Sequence, residues 1–101
     1  MITVRLHRLA LREFHATRRW YEARSRGAAD RFRLAVREAL LALEQNPESA
    51  LAEDDGMRWC KTKRFPYVLH YFIVDQHEVH VYAIAHERRR PGYWKRRLLQ
   101  P

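Results

Sequence analysis

The 101-residue chain contains few residues of several types, and each shortage excludes certain kinds of protein or of functional site. A single cysteine, Cys60, excludes an intramolecular disulfide and a cysteine-based zinc cluster, which is typical of a reducing compartment. No uninterrupted apolar segment is long enough for a signal peptide or a membrane span, so we expect a cytoplasmic protein without a membrane partner. We predict that Cys60 fills space in a strand and is not a nucleophile.

Short catalytic motifs are missing as well. With only three glycines, the chain has no glycine-rich phosphate loop, no Gly-x-Ser-x-Gly and no Asp-rich calcium loop, and it also lacks His-Glu-x-x-His. His77 and His80 have no further metal ligand at a convincing spacing. We therefore predict no cofactor and no metal site, and the missing motifs argue against a free-standing metabolic enzyme.

Negative charge is scarce in the second half of the chain. Residues 1–56 carry 10 basic and 9 acidic side chains, whereas residues 57–101 carry 10 and 3, which gives net charges of +1 and +7. A segment with this imbalance attracts polyanions or an acidic protein. The basic residues are densest in a C-terminal tail that begins at about residue 87.

What the chain does contain is a hydrophobic pattern that changes period along its length. Its length and its 47% hydrophobic content predict one globular domain over 1–101. Apolar residues alternate or recur at helical spacing in the order strand, helix, helix and three strands, over 2–6, 9–24, 28–45, 57–62, 67–74 and 79–85. This order predicts an α+β fold, β-α-α-β-β-β, in which a helical hairpin packs on one face of a small, mainly antiparallel sheet.

Several local expectations follow from residue types. Gly27 is predicted to stop the first helix in a left-handed conformation that a side chain would oppose. Trp20 and Tyr21 on the first helix are predicted to lie in the core. Alternation in the last strand predicts one face with Val79, Val81, Ala83 and Ala85 and another with His80, Tyr82 and Ile84.

Candidate binding residues concentrate in the last three strands and the tail. We expect a basic cleft with aromatic edges on the sheet face away from the helices. Its residues would be Lys61, Lys63, Arg64, His70, His80, His86 and Arg88. RNA cleavage without a metal needs cations for the phosphorane and a group that moves a proton, and His86, Arg88 and Tyr93 are of the right types. Tyr93 and Trp94 are predicted to fold back on the sheet, since large aromatics in such a tail are seldom free.

The motifs together resemble a known family over nearly the whole chain. They are Trp20-Tyr21, Ala29-Asp30-Arg31-Phe32, Asn46-Pro47, Arg64-Phe65-Pro66-Tyr67 through Tyr71, and Ala83-Ile84-Ala85-His86 followed by Arg88 or Arg89, Pro91, Tyr93-Trp94 and Arg97. In this order they resemble the RelE/ParE superfamily of bacterial type II toxins, nearer the ParE branch. The resemblance implies growth arrest, a role in plasmid stabilization, and neutralisation by a cognate antitoxin whose acidic or amphipathic tail wraps the toxin.

The resemblance leaves two targets to weigh. ParE-like members poison DNA gyrase, whereas RelE-like members cut mRNA in the ribosome, and an inactive relic that only binds antitoxin is a third alternative. Carried over from the RNA-cutting branch, Lys61, Lys63, Arg88 and Tyr93 would be catalytic, and with His86, which is proposed from its residue type, they form the alternative catalytic set. Val68 stands where that branch places an arginine, so we favour gyrase inhibition and do not expect an enzyme. The residues predicted to bind target or antitoxin are Arg64, His86, Arg88, Arg89, Tyr93, Trp94 and Arg97.

Overall fold

A computed structural model describes residues 2–99 of the chain. Two helices and four strands follow the predicted order: β1 (Thr3–Leu6), α1 (Arg8–Arg24), α2 (Arg26–Gln45), β2 (Arg58–Lys61), β3 (Tyr67–Ile73) and β4 (Glu78–His86). Short 3₁₀ turns at Pro47–Ser49 and Lys95–Leu99 follow α2 and the last strand. The predicted α+β class and element order are confirmed.

The four strands form one mixed sheet in the order β1-β4-β3-β2. β1 runs parallel to β4, while β2 and β4 both run antiparallel to β3. The last paired residue of β1 is Leu6, which lies opposite Val81. The rest of β4, from Tyr82 to His86, therefore has a free edge on the side where β1 has ended.

One serine joins the two helices. The backbone N–H of Ser25 donates to the carbonyl of Tyr21 at 2.7 Å, and its hydroxyl oxygen accepts from the N–H of Ala28 at 3.4 Å. Ser25 thus caps the end of α1 and the start of α2 in an extended conformation. The predicted role of Gly27 is wrong, because the chain turns at Ser25 and Gly27 already lies in the first turn of α2.

The main core lies between the helices and the sheet. Its fully buried residues are Ala10, Phe32, Val36, Leu43, Leu69, Tyr71, Val79, Val81 and Ile84. Tyr21 packs against this core and its ring contacts Phe32 at 5.5 Å between centroids. Trp20 is instead 49% exposed, so the prediction that it lies in the core is wrong. Successive residues of a helix point about 100° apart, and Tyr21 is the one of the two that faces the core. Arg24 covers its ring from 3.7 Å.

A β-bulge in β4 changes which residues face the helices. His70 of β3 pairs with Ala83, but the next residue, Tyr71, pairs with Val81, so Tyr82 is an extra residue in β4. Beyond the bulge Ile84 joins the main core, while Ala83 lies on the opposite face of the sheet. The predicted faces of this strand are therefore wrong after Val81, since strict alternation does not allow for an inserted residue.

Candidate functional site

The segment after β4 folds back across the sheet face that the helices leave open. Trp94 is 3% exposed and packs against Met57 and Ala83 in a second buried cluster. Its indole stacks on the ring of His70 with 4.6 Å between ring centroids. Gly92, whose φ is 75°, supplies the left-handed turn just before these aromatics. The two tail aromatics predicted to fold back on the sheet do so.

Two side chains of the tail are held by α1. The hydroxyl of Tyr93 donates to the carboxylate of Glu13, and the guanidinium of Arg97 pairs with the same carboxylate at 2.8 Å. Burial, followed by the hydrogen bond to Glu13, raises the pKa of Tyr93 well above its ordinary value. Burial alone would lower the pKa of Arg97, but the hydrogen bond and charge of Glu13 raise it. Tyr93 therefore stays protonated and Arg97 stays charged at neutral pH.

An open cavity of about 430 Å³ lies between β2, β3, the end of β4 and the tail. Val68, Ala85 and Trp94 supply apolar lining, and the half-exposed indole of Trp59 adds an aromatic wall. The polar residues that line it are Glu53, Lys61, His70, His86, Glu87, Arg89, Arg90, Tyr93 and Lys95. An apolar lining with a mainly basic rim suits an acidic segment that also carries an apolar or flat group.

Two lysines of this cavity already have partners. The ammonium of Lys61 lies 3.2 Å from the carboxylate of Glu87, and that of Lys95 lies 3.0 Å from Asp55. All four side chains are at least 37% exposed. Such exposed pairs contribute between about 0 and 1 kcal/mol each, so a partner's carboxylates can replace them at little cost.

The three arginines that follow β4 differ in their surroundings. The guanidinium of Arg89 lies over the ring of Tyr93, 4.1 Å from its centroid. The backbone N–H of Arg88 donates to Nδ1 of His86 at 3.0 Å, which directs the proton of a neutral His86 to Nε2. Within residues 2–99, no carboxylate lies within ion-pair distance of the exposed side chains of Arg88 and Arg90. Of the three, Arg88 and Arg90 are therefore more available to a partner than Arg89.

A second concave surface, which we call the α2 groove, lies between α2 and the turn from β2 to β3. It has a volume of about 640 Å³ and is lined by Arg31, Leu34, Ala35, Glu38, Lys63, Arg64 and Phe65. Leu34 is 48% exposed, although it is a large apolar residue. Arg64 has a φ of 67°, in the left-handed region that residues with a Cβ seldom occupy. A cation at a strained turn beside an exposed leucine makes the α2 groove a candidate binding surface.

The structure divides the predicted site residues between these surfaces. The cavity includes Lys61, His86, Arg89, Tyr93 and Trp94, with Arg88 exposed beside it, while the α2 groove includes Lys63 and Arg64. Arg97 lies in the ion pair with Glu13. The single basic cleft expected from the sequence is thus two surfaces. Glu13, Trp59, Arg90 and Arg31 lie at these surfaces but were not among the predicted site residues.

The side chain of Cys60 is suited to packing. It is half-buried on the helix side of β2, against the main core. Burial raises the pKa of its thiol to about 11, so the thiolate is scarce at neutral pH. Over residues 2–99, histidine, cysteine and carboxylate side chains form no group of three or more that could hold a metal ion.

A comparison with known proteins assigns the chain to a family. The family model described as "ParE toxin of type II toxin-antitoxin system, parDE" matches residues 4–91, which is most of the chain. The chain belongs to the ParE toxin family. The resemblance to the RelE/ParE superfamily, on its ParE side, is therefore confirmed. The match ends at Pro91, so Tyr93, Trp94 and Arg97 lie beyond it.

The fold of this ParE-family chain also matches a solved structure. That structure is titled "Chromosomal ParDE TA system from P. aeruginosa", and the superposition has a TM-score of 0.72 at 18% sequence identity. It covers 85% of this chain and 96% of that one. At this identity the likeness supports the fold alone. None of the curated proteins compared with the chain matches it.

The helices of the chain are amphipathic and not uniformly apolar. Over residues 2–99, none is both long and apolar enough to cross a bilayer. Arginines and glutamates occupy the exposed face of α2, and α1 is more polar still. Their apolar stripes instead pack on the sheet.

Proposed function

We propose that this ParE-family toxin arrests growth in the cytoplasm by inhibiting DNA gyrase through protein contact. The family match over residues 4–91 is the observation that carries the proposal. Two features of the cavity favour binding over RNA cleavage. Val68 lines it where the RNA-cutting branch has an arginine, and the hydroxyl of Tyr93 is engaged by Glu13. At these two places the basic cavity therefore lacks a cation for the charge that develops on a cleaved phosphate and a free hydroxyl to protonate it.

The surface proposed to meet the target is the cavity with its basic rim. Arg88 and Arg90 project from the rim without a carboxylate partner within residues 2–99, and Arg89 is held over Tyr93. The half-exposed Trp59 adds an aromatic contact, and Trp and Arg are the residues that most often dominate binding energy at interfaces. An acidic surface of the target, together with an apolar side chain, would complement this arrangement.

The decisive experiment compares supercoiling with translation. The purified chain is added to a gyrase supercoiling reaction and to a cell-free translation reaction over the same concentration range. We expect loss of supercoiling at concentrations that leave translation intact. Translation arrest with cuts in mRNA would instead establish the ribosome-dependent endonuclease, which the positions of Lys61 and His86 in the cavity favour. No growth arrest at all would establish the inactive relic.

We further propose that a cognate antitoxin neutralises the toxin by binding the α2 groove. Three cations line it, Arg31, Lys63 and Arg64, and within residues 2–99 none of them lies within ion-pair distance of a carboxylate. The exposed Leu34 provides an apolar contact in the same groove. The charge and the leucine together fit an acidic segment with an apolar anchor, which is the antitoxin tail that the family resemblance implies.

Paired variants separate the two surfaces. Arg31→Glu with Arg64→Glu should weaken neutralisation by the product of the adjacent antitoxin gene at least about tenfold while growth arrest persists. Arg88→Ala with Arg90→Ala should have the reverse effect, and Arg12→Ala with Arg19→Ala on the exposed face of α1 is the control. Equal loss of both activities in every pair would contradict the division into two surfaces.

A further inference from the structure

The carboxylate of Glu13, on α1, accepts four hydrogen bonds. Its Oε1 accepts from the backbone N–H of Ile84 at 3.1 Å and from Arg97 at 2.8 Å. Its Oε2 accepts from Arg97 at 3.0 Å and from the hydroxyl of Tyr93. The side chain is only 18% exposed, although it lies on α1 among charged and exposed neighbours. One carboxylate therefore connects α1, β4 and the tail.

The carboxylate of Glu13 lies at the free edge of β4, where backbone groups need hydrogen-bond partners. β1 ends at Leu6, so within residues 2–99 no strand lies beside the backbone groups of β4 beyond Val81 on that side. Glu13 accepts from the N–H of Ile84, and Arg97 donates to the carbonyl of Tyr82 in the bulge at 2.9 Å. Two oppositely charged side chains thus satisfy an unpaired N–H and an unpaired C=O of the edge while pairing with each other.

The same contacts determine where the cavity wall stands. Tyr93 is fixed at its hydroxyl by Glu13, and the guanidinium of Arg89 rests over its ring at 4.1 Å. The next residue, Trp94, stacks on His70 on the sheet face away from the helices. The loop that carries the exposed arginines is therefore held between the anchored Tyr93 and the end of β4.

We propose that Glu13 is a positioning residue for the toxin's target-binding surface. It fixes Tyr93 and Arg97, and through them it sets the positions of Arg89 and the neighbouring arginines at the cavity rim. The inference rests on the proposed function, but the anchor itself is testable without any activity. Tyr93 and Arg97 lie outside the residues that the family model matches, so the family match alone does not assign the anchor.

The first measurement follows the tail directly. In a Trp20→Phe, Trp59→Phe background, Trp94 is the remaining tryptophan, and its emission reports whether it stays buried. We expect Glu13→Gln to shift this emission to the red and to increase quenching by acrylamide, because one amide oxygen cannot replace a carboxylate that accepts four hydrogen bonds. Glu22→Gln is the matched control, since Glu22 is also on α1 and forms an exposed ion pair with Arg18. It should leave the emission unchanged.

The second measurement follows activity in the chain with all its tryptophans. Glu13→Gln should weaken growth arrest and supercoiling inhibition at least about tenfold at temperatures well below its unfolding transition, while neutralisation through the α2 groove persists. Tyr93→Phe removes a single contact and should give a smaller loss in the same direction, which keeps the test usable if Glu13→Gln folds poorly. Glu22→Gln should match the unmodified chain.

The outcomes separate the two proposals. A native Trp94 signal in both Glu13→Gln and Tyr93→Phe would overturn the anchor. A displaced tail with full growth arrest would overturn the positioning role, since the contact would then serve stability alone. If the unmodified chain does not inhibit gyrase but Glu13→Gln still exposes Trp94, the proposed target fails and the anchor stands.

Discussion

The imidazole of His70 and the indole of Trp94 stack at 4.6 Å between ring centroids, on the sheet face opposite the helices. Nδ1 of His70 is buried and has no hydrogen-bond partner within residues 2–99. The chain therefore covers this face with an aromatic pair in which one nitrogen of a titratable ring is buried without a hydrogen bond. Burial therefore penalises the charged form of this ring.

Acid should consequently weaken the fold through His70. Burial lowers the pKa of this ring from 6.5 to about 4, so between these values the unfolded chain takes up a proton that the folded chain does not. The contribution of the neutral His70 ring to the free energy of unfolding is thus fully present above pH 6.5, and it is lost as the pH drops toward 4. Because the ring is only partly buried, we expect a loss of about 1 to 2 kcal/mol.

Urea unfolding at pH 7 and pH 4.5 tests this prediction. His70→Phe preserves a ring beside Trp94 and should make the loss of stability between the two pH values smaller. His77→Gln, in the exposed turn before β4, is the control and should behave like the unmodified chain. An equal pH dependence in all three proteins would show that His70 does not titrate in this way.

Trp94→Ala should destabilise the fold far more than its place in a basic tail implies. Removing a buried tryptophan usually costs about 3 to 5 kcal/mol, and Trp94 is 3% exposed. Trp59→Ala removes the same side chain from a position that is 51% exposed and should cost about 1 kcal/mol or less. Urea unfolding followed by circular dichroism measures both. Similar losses would mean that the tail does not contribute to the fold in solution.

The strained backbone at Arg64 predicts a difference between two substitutions. Arg64→Gly and Arg64→Ala both remove the charge, but only glycine adopts the φ of 67° without a Cβ clash. We expect Arg64→Gly to be more stable than Arg64→Ala by about 1 kcal/mol. Antitoxin binding should fall equally in both, as titration calorimetry can measure. A weaker antitoxin complex for only one of them would show that backbone geometry, and not charge, controls binding.

Tyr71→Phe tests a buried hydrogen bond between the core and the end of α2. The hydroxyl of Tyr71 is fully buried and donates to the carbonyl of Pro47 at 2.6 Å. Its removal leaves that carbonyl without a donor and should cost about 1 to 3 kcal/mol in the free energy of unfolding. Tyr82→Phe, at a half-buried ring on the other face, is the comparison. Equal small losses would contradict an energetic role for the bond.

Much of the fold was predictable from local patterns. The apolar stripe from Phe32 to Leu43 indicated α2, and alternation indicated each strand, because helical and extended backbones bring different residues to one face. Asn46 before Pro47 marked the end of α2, since a residue before proline is pushed out of helical geometry. The basic tail and its aromatic pair were also evident from the sequence.

Other features depend on contacts that a local pattern does not contain. The bulge at Tyr82 arises from pairing with β3, and it moves Ile84 to the helix side of the sheet. Trp20 is a large aromatic residue of the kind that usually lies in a core, but the sheet and α2 pack on the neighbouring face of α1. Both errors have one physical reason: a local period contains neither the residue inserted into β4 by its pairing with β3 nor the side from which other segments approach α1.

The site shows this division most clearly. The sequence by itself determined the family, the helical hairpin and sheet, and the basic character of the second half. Only the tertiary structure separated Arg64 from the tail and joined Glu13 to Arg97, which are 84 residues apart in the chain. The physical reason is that the edge of β4 must find partners for its backbone groups, and the side chains able to provide them come from distant segments that only folding brings together.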